Sequence, residues 1–461
     1  MQSRREFLIM SAAAGALSNI AVGPGFAKAA TVKAVTAITQ VFGDGLRLIA
    51  VAIECDGPVD GAQLSASSFT IEVRTVTGAF PSHSADPADR ADAGAFVIVT
   101  LSADDPAAVL SASPQGGGAR PEGAGDGKPP QGAGGPKGPK GPGGGVGNAG
   151  DIPTYDAIFK PATARVAQVE PLMLTDGQVI APGGVALVTT GVKNLIADDF
   201  QQLEFRDEIT GNTLLYNLFV PKDYDAGKSY PLVLFMHDAG ATSDITTTTL
   251  YQGLGAIAWA SPEDQAMRPA FVLAPQFSDI IADDDSRTSS SLDTTIDLIK
   301  ALLSQYSIDE NRLYTTGQSG GCMMSIAMNI KYPDFFAAAF LVAGQWDPAL
   351  VTPLAHKKLW ILVSQDDGKA FPGENAITEA LAAEGARISR AVWDGTWSAE
   401  QYQFAFDDID AEASPINYTT FNAGTVIPKG QTSAGASGHR NTWRIAYSIE
   451  PIRAWIFRQH N

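Results

Sequence analysis

Two cysteines, Cys55 and Cys322, are all that the 461-residue chain contains. They are too few for a disulfide framework or a thiolate zinc site. Histidine is almost as scarce, and its five scattered residues leave metal chemistry little to work with. Positive charge is short as well: 32 Lys and Arg stand against 50 Asp and Glu, a formal net charge of −18. The resulting field repels phosphate backbones and anionic lipid surfaces and disfavours nucleic-acid binding. Past the amino-terminal segment, no apolar run reaches the roughly 18 to 20 residues needed to span a bilayer. What is present is apolar material, 45% of the residues with 8% aromatic and only 18% charged. That is enough for two or three folded domains and too much for a disordered chain.

Residues 1–30 begin Met1-Gln2-Ser3-Arg4-Arg5-Glu6-Phe7-Leu8, pass through a modest Ala- and Gly-rich apolar stretch, and reach the small-residue cleavage site Ala27-Lys28-Ala29. The Arg4-Arg5 pair in this setting matches a twin-arginine signal, read by the machinery that exports folded proteins. The mature protein is therefore expected to be soluble, in the periplasm or outside the cell.

Residues 31–196 carry short alternating runs. Phe69-Thr70-Ile71-Glu72-Val73-Arg74 swaps apolar and polar residues at period two, the pattern of a half-buried strand, and Leu46 to Ile53 and Ala95 to Leu101 read likewise. With Gly, Asp and Pro between them, they predict a small immunoglobulin-like β domain. Within it, residues 113–150 hold 16 Gly and 7 Pro, a composition that buries too little to offset chain entropy and predicts a disordered excursion.

From residue 197 to 461 the pattern becomes strand alternating with helix. Tyr230 to Met236, Ala270 to Ala274, Arg312 to Thr316, Ala337 to Val342 and Leu359 to Val363 are apolar runs suited to a sheet covered on both faces, and Leu292 to Tyr306 carries one apolar stripe. The expected fold class is α/β, a mostly parallel sheet covered by helices, with ligands beyond the carboxyl ends of the strands.

One strand end carries the chemistry. Arg312 to Thr316 runs into Gly317-Gln318-Ser319-Gly320-Gly321 and then a buried helix ending near Tyr332-Pro333, the order strand, G-x-S-x-G, helix. Glycines flank Ser319 because a sharp turn holds such a nucleophile in a conformation that leaves no room for side chains. A serine hydroxyl needs a base. His83 lies in the β domain, His460 beside the carboxyl terminus, His356 before a strand, and His237 inside a loop with another task, which leaves His439, read as a loop residue between the strand Asn417 to Phe421 and the last helix. The acid that orients the imidazole should follow a strand between them. Asp366 and Asp367, after Leu359 to Val363, both qualify; Asp367, farther past the strand, turns more easily toward His439, and Asp394 is a third choice. For the oxyanion, the donors are the N–H groups of Gly320 and of Ala239 in His237-Asp238-Ala239-Gly240.

These residues, in the order Ser, Asp, His, resemble the α/β-hydrolase fold. Tyr230-Pro231-Leu232-Val233-Leu234-Phe235-Met236-His237 and Ala343-Gly344-Gln345-Trp346-Asp347-Pro348 are similar to extracellular esterases of the predicted-peptidase or polyhydroxybutyrate-depolymerase-like group that carry an amino-terminal immunoglobulin-like domain. The resemblance implies hydrolysis of a small-molecule or polymeric ester through an acyl-enzyme, with no metal or organic cofactor. Two departures stand out: Asp238 replaces the usual glycine of the oxyanion loop, and the long Asp367 to His439 interval suggests an insertion around Trp397 to Pro415 forming part of a lid or substrate wall.

Other residues have plainer readings. Trp346, Trp393 and Trp397 are more readily core than pocket lining; Asp279 and Asp283-Asp284-Asp285 lack the Gly and Glu of an EF-hand and read as a solvated acidic loop; Cys322 reads as a packing residue. The expectation is a secreted serine esterase. A peptidase of the same fold is its nearest rival, and a non-catalytic binding protein that retains the fold is the alternative of another class.

Overall fold

The computed structural model describes residues 30–112 and 158–461. The expectations for the amino-terminal signal and for the Gly- and Pro-rich stretch of residues 113–150 fall outside them.

The first part of the chain is a two-sheet β unit. Its five-stranded sheet takes the order β8-β1-β2-β5-β4, with β1 Val32–Phe42, β2 Gly45–Asp60, β4 Val76–Ser82, β5 Ala93–Leu101 and β8 Gly191–Asn194. A second sheet of three short strands runs β7-β6-β3, with β3 Phe69–Ile71, β6 Arg165–Gln168 and β7 Leu187–Val188. Phe69, Ile71 and Val166 from the small sheet meet Val51, Ile53, Val97 and Val99 from the large one in a shared buried cluster, which is how alternating strands close a sandwich.

Here the alternation misleads once. The strand from Phe69 ends at Ile71, not Arg74, because the chain turns: Val73 takes φ 54° and is 80% exposed. The turn lets Arg74 reach back into the sandwich, where Nη2 donates to the carbonyls of Leu48 (2.8 Å) and Ser102 (2.9 Å). These two bonds and the Arg74–Asp105 ion pair compensate for the exposed valine.

The second part is a nine-stranded sheet in the order β9-β10-β12-β11-β13-β14-β15-β17-β16. Its strands are β9 Gln201–Arg206, β10 Thr213–Phe219, β11 Tyr230–Met236, β12 Phe271–Gln276, β13 Ile308–Gln318, β14 Ala338–Val342, β15 Leu359–Ser364, β16 Ile388–Trp393 and β17 Ile416–Phe421. The pairs β9/β10 and β10/β12 are antiparallel, and the strands from β12 to β16 pair in parallel. Every residue of β11, β14 and β15 is buried, as expected for strands covered on both faces. The covering helices include α1 Leu254–Ala260, α2 Ser291–Gln305, α3 Gly320–Lys331, α4 Ala370–Ala383, α5 Ala399–Asp410, α6 Ser437–Ala446 and α7 Glu450–Phe457.

The expected lid around Trp397 to Pro415 is not one. Those residues contain α5, the crossover between parallel strands β16 and β17, and it is laid on the sheet by aromatic packing. Phe406 stacks on Trp360 with centroids 5.4 Å apart, and Tyr402 packs on Trp393 at 5.8 Å. Trp393 is 1% exposed, a core residue. The Asp367 to His439 interval is long because, besides α4 and β17, it holds the strand–helix unit β16–α5 at the sheet edge.

The two parts meet at a tight turn. The β1–β2 hairpin presents Gly43 to α6, where a methyl group would stand 2.1 Å from the Arg444 carbonyl oxygen. Phe159 and Tyr251 close the same interface edge to face, 5.4 Å apart.

Candidate active site

The residues singled out in the sequence gather at the carboxyl ends of the central strands. β13 ends at Gln318, and Ser319 follows at φ 51°, a backbone conformation that non-glycine residues seldom adopt. Two contacts make this turn possible only with glycine beside it. A Cβ on Gly317 would lie 2.4 Å from the Gly321 carbonyl carbon, and one on Gly321 would lie 2.0 Å from the Met236 carbonyl oxygen. Ser319 N–H donates to the Val342 carbonyl at 3.0 Å, which ties the turn to the neighbouring strand end.

Ser319 Oγ lies 2.9 Å from His439 Nε2, and His439 Nδ1 lies 2.5 Å from Asp367 Oδ2. An ionised Asp367 can only accept, so it selects the tautomer with the proton on Nδ1 and leaves Nε2 free to accept from the serine. His439 occupies the first turn of α6, the penultimate helix, not the loop expected for it. Helical spacing sets Trp443 against its ring edge to face, with centroids 4.8 Å apart.

Asp367 is 3% exposed and uses both oxygens. While Oδ2 faces His439, Oδ1 accepts the N–H groups of Lys369 (3.0 Å) and Ala370 (2.8 Å) at the start of α4. Burial alone would raise its carboxyl; the His439 hydrogen bond and charge, with those two N–H groups, outweigh burial and hold it below the ordinary carboxylate value. Asp366 turns the other way and accepts the Gly424 N–H at 2.7 Å. Asp394 caps its own turn through Thr396.

Two backbone N–H groups lie close together next to the serine turn. Gly320 opens α3 and Ala239 opens the short turn Ala239–Ala241, so neither N–H has an acceptor within its own element. A methyl on Gly320 would stand 3.5 Å from Ala239 N, which measures how close the two segments come. Asp238, the departure from glycine, is what fixes this loop. Its Oδ1 accepts Gly240 N–H at 2.7 Å and its Oδ2 accepts Gln318 Nε2 at 3.0 Å, joining the loop to the residue just before the serine. Sequence reasoning missed this lock; the unusual Asp238 was its only signal.

His237 is 1% exposed and structural in its bonds: Nδ1 donates to the Asp238 carbonyl at 2.7 Å, and Nε2 accepts the Phe277 N–H at 2.9 Å. Burial lowers its pKa, which suits a neutral ring. A depression beside the donors is lined by Asp238, Ala239, Thr242, Gly320 and the segment of residues 279–281. Trp346 is buried; Trp397 packs on Tyr402 at 5.8 Å. Cys322 is fully buried and burial pushes its thiol up, which disfavours a thiolate.

The acidic stretch differs from the expected solvated loop. Asp283 is 3% exposed and pairs with Arg287, Asp285 pairs with the same arginine, and Asp284 pairs with Lys369 and accepts Gln345 Nε2 at 2.7 Å. Among the described residues, no group of three or more His, Cys, Asp or Glu is arranged to hold a metal ion.

The chain's residues 34–181 match the esterase Ig-like N-terminal domain, and residues 284–370 match the prolyl oligopeptidase family. With the nine-stranded sheet and the serine turn, these define the class: an α/β-hydrolase fold behind an immunoglobulin-like domain of the esterase kind. The particular likenesses follow it. The crystal structure of a thermostable esterase superposes with a TM-score of 0.73 at 25% identity, covering 93% of this chain and 100% of that one. A poly(3-hydroxybutyrate) depolymerase of Ralstonia pickettii is 25% identical over 236 residues, 47% of this chain and 46% of its own length, so the chain spans about half of that curated relative.

Proposed function

We propose that the chain is an exported serine esterase that cleaves carboxylic esters through an acyl-enzyme on Ser319. The observation that carries this reading is the continuous relay Ser319 Oγ, His439 Nε2, His439 Nδ1, Asp367 Oδ2, with links of 2.9 and 2.5 Å.

The chemistry follows from those contacts. Ser319 Oγ attacks the ester carbonyl as its proton passes to His439 Nε2, and the carbonyl oxygen becomes an oxyanion between the Gly320 and Ala239 N–H groups. Each such fixed donor is worth about 3 to 4 kcal/mol of barrier. Asp367 stabilises the imidazolium across Nδ1. As the carbon–oxygen bond to the alcohol breaks, His439 returns the proton to the leaving oxygen. A water molecule then gives its proton to His439, attacks the acyl carbon, and the acid leaves with Ser319 restored. The Arg4-Arg5 segment supports export by the twin-arginine machinery, with action in the periplasm or outside the cell.

The prolyl oligopeptidase match over residues 284–370 favours a second reading, a serine peptidase on the same residues. A series of p-nitrophenyl esters of rising acyl length beside a peptide anilide, given to the protein and to Ser319→Ala, separates the two. Ester turnover lost in the variant supports the esterase; anilide turnover with inert esters moves the peptidase ahead.

A further inference from the structure

A carboxyl that the proposed chemistry does not use lies beneath the relay. Glu374, on α4, is 1% exposed. Its Oε1 accepts the Gly344 N–H at 3.1 Å, while Oε2 is buried with no hydrogen-bond partner among the described residues. Gly344 belongs to a crowded, strained turn. Its neighbour Ala343 stands at φ 51°, and a methyl on Gly344 would lie 2.5 Å from Cys322 Sγ. Just before it, the Val342 carbonyl accepts the Ser319 N–H at 3.0 Å. The helix approaches so closely because residue 373 is glycine: a methyl there would meet Gln345 Cβ at 2.6 Å. One carboxyl thus pins the turn that pins the nucleophile, and the first N–H of its helix, that of Ala370, donates to Asp367, the acid of the relay.

We propose that Glu374 is a positioning residue that works as a neutral carboxylic acid, holding the Ala343–Gly344 turn beneath Ser319 without placing a second negative charge beside Asp367. The inference rests on the serine-esterase reading above. A buried carboxylate with one hydrogen bond and no cation is far costlier than the neutral acid. The groups facing Glu374 supply no positive charge: Asp367 before α4 is an anion, Cys322 on α3 is a thiol that burial pushes up, and Tyr418 on β17 is a phenol also pushed up by burial. Burial first, and Asp367 after it, raise the Glu374 carboxyl well above the ordinary value.

The test compares kcat, KM and the rate–pH profile of the full chain with those of Glu374→Gln and Glu374→Ala, on a p-nitrophenyl ester. An amide is neutral and can accept the Gly344 N–H. Glu374→Gln should therefore keep kcat within about threefold and move the acid limb of kcat/KM by less than about 0.2 pH units. Glu374→Ala should lower kcat about tenfold or more at little changed KM, because the serine turn loses its support. If Glu374 were instead an anion, Glu374→Gln would remove a negative charge near the imidazolium and shift the acid limb down by about half a unit or more. That shift, or a wild-type kcat in Glu374→Ala, overturns the proposal. Should Glu374→Ala fail to fold, the Glu374→Gln profile decides alone. The rate of Ser319 labelling by a fluorophosphonate across pH gives the same comparison without an ester, so failure of the esterase reading is told apart from failure of this one.

Discussion

Asp367 does two jobs with two oxygens, one toward His439 and one toward the start of α4. Asp367→Asn keeps the shape but presents an amide where an acceptor is needed, and kcat should fall by about 10⁴-fold. Asp366→Asn, whose side chain accepts from the Gly424 N–H and the Ser364 hydroxyl and not from His439, should stay within about tenfold of the parent; steady-state kinetics on one ester checks both. The same carboxylate predicts a pH dependence of stability. Its folded pKa is depressed, so its contribution is full above the unfolded value and is lost as pH falls below about 4. Urea midpoints measured at neutral and acid pH should converge between the protein and Asp367→Asn as the solution is acidified. At this scale the sequence was legible where chemistry forces a residue type. Ser319 stood between glycines that the turn demands, and His439 followed by elimination among five histidines. Asp238 and Gln318 were not legible as a pair, because their bond joins positions far apart in the chain.

At the scale of elements, most of the parallel strands were read to within a residue or two of their ends because burial on both faces leaves an unbroken apolar run, while β13 begins four residues before the Arg312 read for it, since Asp309, Glu310 and Asn311 interrupt that run. The failures came where a tertiary contact overrides the local pattern. Arg74 pulls its segment out of alternation and expels Val73, and α5 carries a polar outer face that resembles a mobile wall although its inner face is anchored on Trp360. That anchoring separates crossover from lid by experiment. Phe406 is 6% exposed, so Phe406→Ala should cost about 3 to 5 kcal/mol of stability by denaturant titration. The kcat of the folded fraction should stay within about twofold. A lid would show the reverse, a changed kcat or KM with stability preserved.

For the whole molecule, the acidic balance and the scarcity of cysteine and histidine weigh against nucleic-acid and metal chemistry before any motif is considered, and period-two runs give way to strand–helix alternation near the passage between its two parts. The way those parts fit was not legible. Gly43 against the Arg444 carbonyl is a contact of shape, made by a residue that any hairpin turn might have contained. It sets the β unit against the helix that also carries His439. The central claim is that one serine among the whole chain's hydroxyls is the nucleophile, and covalent labelling asks that directly. The protein would be treated with a fluorophosphonate, its intact mass measured, and the modified peptide sequenced by mass spectrometry. One adduct per chain, on Ser319, appearing in step with loss of ester hydrolysis and absent from Ser319→Ala, is the predicted result. Ester hydrolysis that survives full labelling, or an adduct on another residue in step with the loss, would contradict it.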